Sequence, residues 1–243
     1  MKRLKVLAPP LPWDKPRVTE GDTSSTNSTE VVVCLHGLWR SVWAMEPMAN
    51  YLNSQGFTTV NVPYASFRYE LDDIVERVRL LVKPWVDQGR NIHFVTHSLG
   101  GVVLKHRVGE AVLPEEREKI GRVVMLAPPH QGSEIIDWLS NSPMRHVLGP
   151  AGTFLSSESM QKRSQQFPED IEAAIIMGER SAIPFFRKLL DASNDGIVSV
   201  EKGHLLGIKE FKVVDADHTF IASEPEVLEM VNKFLDTGKC SLT

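Results

Sequence analysis

The chain has 243 residues, 42% hydrophobic and 24% charged, with a formal net charge of −4. That length and apolar content suit one globular domain with a sizeable core, and the acidic balance gives no electrostatic reason to expect nucleic acid or an anionic membrane as partner. No window approaches the roughly 18 apolar residues of a membrane span.

In chain order, residues 1–30 read as an arm. The basic Lys2, Arg3 and Lys5 are few, and the prolines Pro9, Pro10, Pro12 and Pro16 precede a Ser/Thr-rich run over 23–29. Lys5 and Pro9-Pro10 break the short apolar stretch Leu4 to Ala8, so no signal-peptide h-region forms. Cys34 lies in an apolar run and Cys240 in the polar tail, which reads as two free thiols in a reducing compartment. The expectation is a cytoplasmic chain.

From Val31 the pattern changes. Val31-Val-Val-Cys-Leu35 is a short β-branched apolar run, the signature of a buried parallel strand. Ser41 is placed to cap a helix over 43–55 that ends at Gly56. A strand is expected over 57–62. Leu71, Ile74, Val75, Val78, Leu81, Val82 and Trp85 then recur at helical spacing over 70–88, with Pro84 expected to kink or interrupt the helix. Strand 91–96, helix 98–108 and strand 123–127 follow, then strands over 171–177 and 211–214. A closing helix over 225–235 has Pro225 near its first turn. Strands alternating with helices predict βαβ units and a mostly parallel sheet covered on both faces. The stretch 133–170 fits this rhythm worst and is expected to be a lid or cap region within the 31–243 domain.

Chemistry concentrates at Ser98. Asn91 to Gly101 passes from strand directly into helix, with Ser98 at the junction, Thr96 two residues before it and Gly100 two after. A sharp strand-to-helix turn exposes a nucleophilic oxygen, and the flanking residues must be small because the two backbones run close together. By composition a small-x-Ser-x-Gly pattern arises roughly 0.3 times by chance in such a chain. Context therefore decides: Ser54-Gln55-Gly56 also contains Ser-x-Gly, but Leu52 precedes it and it ends a helix. At the end of the first strand, His36-Gly37-Leu38-Trp39 turns sharply at Gly37. The N–H of Leu38, with that of Leu99, makes a two-donor oxyanion hole; His36 reads as structural.

A serine nucleophile needs a base, and the base needs an orienting acid. Of eight histidines, His97 adjoins Ser98 and should point away, and His93 lies within a strand. His106, between Lys105 and Arg107, suggests a solvated helix face, and His146 and His204 lie in irregular segments. His218, late in the chain and just after a strand, is best placed, while His130, in Ala127-Pro-Pro-His-Gln-Gly-Ser133, competes and reads rather as a wall residue. For the acid, Asp195 in Asn194-Asp-Gly-Ile-Val198 completes the order Ser98, Asp195, His218. Asp217 and Asp215 compete, although neighbours of the base do not normally reach back to its ring. Asp191 reads as helix surface.

His36-Gly37, Thr96-His-Ser-Leu-Gly-Gly101, Pro128-Pro-His-Gln-Gly-Ser133, Asp195-Gly-Ile-Val198 and Asp217-His-Thr-Phe220 together resemble the α/β-hydrolase superfamily, and within it compact bacterial lipase and esterase-like proteins. The resemblance runs from about residue 31 to 236. It implies Ser98 as nucleophile, Asp195 as acid, His218 as base, and a loop over 128–133 that leads into a lid. Two departures stand out. Thr96 occupies a position where glycine is commonest, which implies strain. The arm lacks the first antiparallel strands of the larger fold, which implies a sheet of about six strands.

The expectation is a serine carboxylic ester hydrolase that works through an acyl-enzyme and needs neither cofactor nor metal. Its partner is a small-molecule ester or lipid-like substrate, with short to medium acyl chains favoured. Thioesterase, amidase or acyltransferase chemistry on the same residues, or a non-catalytic binding module, are the alternatives. His130, Trp39 and Trp138 are the candidate substrate contacts, beside the apolar residues of 133–170.

Overall fold

The computed structural model describes residues 15–22, 24–110, 114–163, 165–181, 190 and 193–241. Residues 1–14 and 23 of the arm, and Asp191, lie outside the described residues. Strands β1 (Arg17–Thr19), β2 (Val31–Leu35), β3 (Thr58–Val62), β4 (Ile92–His97), β5 (Ile120–Leu126), β6 (Ala173–Gly178) and β7 (Glu210–Val214) form one seven-stranded sheet in the order β1-β3-β2-β4-β5-β6-β7. Every pairing from β3 to β7 is parallel.

The six parallel strands match the sheet size read from the sequence; the seventh is β1, which adds to the β3 edge antiparallel, Val18 opposite Val60. The arm is thus not wholly without structure. β1 is short and exposed and carries no hydrophobic signal, so side chains hold it. The Arg17 guanidinium lies 3.6 Å from the Trp43 ring centre and 3.2 Å from the Glu46 carboxylate.

Successive side chains of a strand face opposite sides of its sheet, and here both sides are buried. Val31, Val33 and Leu35 of β2, Val123 and Met125 of β5 and Ile175 of β6 enter one apolar layer. There they meet the helices α2 (Leu71–Asp87) and α3 (Leu99–Glu110). Val32, Cys34, Val124, Leu126 and Ile176 enter the other, against α1 (Glu46–Ser54) and, late in the chain, the helix Pro225–Thr237. Burial on two faces explains why the strands read as continuous apolar runs. Cys34 and Cys240 are free and buried.

Three local expectations are corrected. Ser41 makes no side-chain cap; residues Val42–Met45 form a 3-10 turn before α1. Pro84 does not end α2, which continues to Asp87. The carbonyl that loses its partner belongs to Leu80, on the exposed side of the helix, where water can satisfy it. α3 is no solvated face at Lys105–Arg107, because Lys105 and Arg107 are buried and the Arg107 guanidinium donates to Glu116 at 3.3 Å.

The short helix α4 (Pro114–Arg117) precedes β5, and after β5 come α5 (Glu134–Ser140), a 3-10 turn Pro143–Val147, α6 (Gly149–Thr153) and α7 (Ser157–Gln161). The last helix, α8, is Pro225–Thr237. Within 133–170, Ile135, Leu139, Leu148, Met160 and Phe167 join the core, whereas Met144 and Val147 stay exposed. No helix of the described residues is long and apolar enough to cross a membrane.

Candidate active site

Strand order reverses at β2: the chain runs from β2 outward to β3, then returns to β4 on the other side of β2. Crossovers that leave in opposite directions open a crevice at the carboxyl ends of the strands, where ligands of such sheets bind. The loop after β2 carries Leu38, and the turn after β4 carries Ser98.

Ser98 has φ +52°, in the left-handed region that costs a non-glycine residue about 1 kcal/mol or more. It persists because both sides pin it. Its N–H donates to the Leu126 carbonyl at 2.9 Å, and the Ser98 carbonyl accepts from Gly101 N–H at 2.9 Å. Gly100 allows the close approach: a Cβ there would lie 2.6 Å from the Leu35 carbonyl oxygen. Thr96 is accommodated in the same way, because it faces Gly101, where an added Cβ would meet its Oγ1 at 3.3 Å. Trp39 (φ +56°) and Ala127 (φ +47°) are also left-handed, so the turns after β2, β4 and β5 all hold strained backbone at one edge.

His218 Nε2 lies 3.0 Å from Ser98 Oγ, and its Nδ1 lies 2.7 Å from Asp195 Oδ2. Asp195 follows β6, and its Oδ1 accepts from the N–H groups of Ile197 (3.0 Å) and Val198 (2.8 Å). Both carboxylate oxygens are therefore engaged and the carboxylate cannot rotate. The competing acids face elsewhere. Asp217 Oδ1 accepts from the N–H groups of Thr219 and Phe220, and Asp215 reaches out toward Arg180.

The other histidines near the site are structural. His97 donates from Nε2 to the His218 carbonyl at 2.8 Å; burial holds its pKa well below the usual imidazole value. His36 stacks on Tyr64 with ring centres 4.0 Å apart, and the Tyr64 hydroxyl donates to the His36 carbonyl. Burial lowers the pKa of His36 to about 4.

The cavity beside Ser98 holds about 230 Å³. Leu38 and Trp39 line it from the β2 loop, Ile136 and Leu155 from the 133–170 segment, and Ile197 and Val198 from the acid loop. The backbone N–H groups of Leu38 and Leu99 have no protein acceptor among the described residues, as oxyanion donors require. Of the candidate substrate contacts, Trp39 is placed there, its Nε1 donating to the Val147 carbonyl at 2.8 Å.

His130 and Trp138 are not in the cavity wall. His130 is fully buried with Nε2 3.3 Å from Met125 Sδ, in surroundings that lower its pKa to about 3. Trp138 is 40% exposed on α5, because the helix turns Ile136 inward instead. Two wall residues escape sequence reading. Ser133 caps α5 and donates to the Ile197 carbonyl at 2.7 Å, visible beforehand only as a serine before a helix. Arg40 is a lone cation in the turn after β2, and that turn was the available signal. No cluster of His, Cys, Asp or Glu among the described residues could hold a metal.

Residues 32–196 match the model of the alpha/beta hydrolase family. The chain belongs to that family. Its fold is similar to that of the mature lipase BlEst2 of Bacillus licheniformis, with TM-score 0.71 and 18% identity over 92% of this chain and 98% of that one. It is also similar to a soluble variant of monoglyceride lipase from Saccharomyces cerevisiae, with TM-score 0.61 and 13% identity over 92% and 91%. The lin2722 gene product of Listeria innocua gives TM-score 0.60 and 16% identity over 86% and 94%. At these identities the likeness is one of fold. No curated protein sequence matches the chain. Family membership places this member among hydrolases.

Proposed function

We propose that this α/β hydrolase is a serine carboxylic ester hydrolase, with Ser98 as nucleophile, His218 as base, Asp195 as orienting acid and Leu38 and Leu99 as oxyanion donors. The observation that carries the proposal is the continuous chain from Ser98 Oγ through the His218 ring (3.0 Å) to Asp195 (2.7 Å).

With the Nδ1 proton of His218 donated to Asp195, Nε2 accepts the Ser98 proton as Oγ attacks the ester carbonyl. The carbonyl oxygen becomes an oxyanion within reach of the two N–H groups, and losing one such donor typically costs about 3 kcal/mol. The tetrahedral intermediate then breaks its C–O bond, and the departing alcohol oxygen takes the proton from Nε2, leaving an acyl-Ser98. Water attacks this ester, giving a proton to Nε2. The carboxylic acid leaves as that proton returns to Ser98.

The cavity of about 230 Å³ is smaller than a typical drug-sized site and largely apolar, which supports short to medium acyl chains. The 133–170 segment contributes Ile136 and Leu155 to the wall and acts in this proposal as a cap over the acyl pocket. A fluorophosphonate probe is expected to label Ser98 in the native protein, and S98A is expected to lose both labelling and at least about 10⁴-fold in kcat. Ester turnover by a protein that does not label would overturn the proposal. Matched ester, thioester and amide substrates then rank the acyl chemistry.

A further inference from the structure

The cavity wall is apolar or uncharged with one exception outside the histidines. Arg40, two residues after the Leu38 donor, lines it with a side chain that is exposed and in no ion pair among the described residues. Its Nη2 donates to the Thr219 carbonyl at 3.5 Å, which sets the guanidinium beside the residue that follows His218. Its positive charge is close enough to oppose protonation of both His97 and His36. The carboxylates of the neighbouring loops are already engaged: Asp195 with His218, and Asp217 with two backbone N–H groups.

Chemistry sets which part of a substrate lies there. The alcohol oxygen must come to His218 Nε2 to receive its proton, so the alcohol portion leaves past the loop on which Arg40 leans. An uncompensated guanidinium at that exit favours a negative charge and presents paired N–H donors of the geometry that carboxylates and phosphates accept.

We propose that Arg40 forms an anion subsite in this pocket, so that the preferred substrates are esters whose alcohol portion carries an anionic group. This rests on the ester-hydrolase proposal above and deepens it to a substrate class. Arg40 takes no proton in the reaction; it adds binding on the leaving-group side.

The test compares the butyrate esters of para-hydroxybenzoate, which is anionic, and para-hydroxybenzamide, which is neutral and of similar shape. The reading is the ratio of their kcat/KM values, and comparison between variants cancels the intrinsic difference in leaving groups. R40Q is expected to lower the ratio by about two- to fivefold, the range for an exposed charge pair, R40K to hold it nearer the wild-type value, and R40E to lower it further. Raising the salt concentration is expected to move the wild-type ratio toward that of R40Q. The para-nitrophenyl monoester of glutaric acid, charged on its acyl side, is expected to gain nothing from Arg40 over the matching butyrate. An unchanged ratio in R40Q, or equal losses on both esters, overturns the subsite and leaves Arg40 as a tie to Thr219. Failure of the wild-type protein to turn over either ester overturns instead the ester-hydrolase proposal, and the subsite with it.

Discussion

At the scale of single residues, Asp195 is the most constrained group of the site. Its Oδ1 must accept two backbone N–H groups, so only Oδ2 is left for His218. This asymmetry determines what an asparagine would do there. The amide oxygen would take the Oδ1 position and its NH₂ would face Nδ1, forcing the imidazole proton onto Nε2, where it cannot accept from Ser98. D195N is therefore expected to keep a near-wild-type Tm while losing about 10⁴-fold in kcat, measured by thermal unfolding beside ester turnover. A large drop in Tm would instead place Asp195 in folding. His97 shows the complementary lesson. It adjoins the proposed nucleophile, yet its hydrogen bond is to the backbone of the proposed base, so it positions His218.

At the scale of elements, the decisive contact is between α3 and β2. Gly100 sits on the first turn of α3, and a Cβ there would lie 2.6 Å from the Leu35 carbonyl oxygen and 3.0 Å from that of His36, both backbone atoms that cannot swing aside. G100A is expected to push the helix off the strand at a cost of about 1–3 kcal/mol, and to move Ser98 away from His218 as it does so. Thermal unfolding and kcat should fall together; a fall in Tm with kcat intact would show that the site rides on α3 as a rigid unit. The loop after β2 is tied in two further directions. Trp39 donates from its backbone N–H to Ser66 Oγ at 3.1 Å and from Nε1 to Val147 of the 133–170 segment. The loop of the proposed oxyanion donor Leu38 and the proposed cap are thus joined by one side chain.

At the scale of the whole molecule, three buried imidazoles link stability to pH. His36, His97 and His130 are all held below the usual value by burial. The unfolded chain binds protons at these positions below about pH 6.5 while the native state does not, so their contribution is present above that pH and lost as it falls toward 4. For His36 and His130, lowered to about 4 and about 3, the contribution is about 2 kcal/mol each between pH 7.5 and 5. The expected outcome is a steep fall in Tm over that window. His130 faces Met125 and leaves Nδ1 without a partner, so H130L is expected to fold and to make the fall shallower. An unchanged slope in H130L would show that His130 is protonated in the native state.

Much of this was legible in one dimension. Parallel strands buried on both faces must be continuous apolar runs, so β2 could be read to the residue. The proposed nucleophile could be read because a turn that exposes such a residue demands small neighbours. What pairs across the chain was not legible. β1 carries no hydrophobic signal and depends on Arg17 meeting Trp43 and Glu46. Arg107 looks like a surface residue until Glu116 is brought to it. His130 and Trp138 looked like substrate contacts because a loop and a helix do not announce which way they turn. Sequence alone determined the six parallel strands, the order of Ser98, Asp195 and His218, and the loops that carry them, because these follow from periodicity and local backbone demands. Only the tertiary structure decided which carboxylate meets His218, and which side chains, Arg40 among them, line the pocket. Those depend on distances between segments far apart in the chain, which no local pattern encodes.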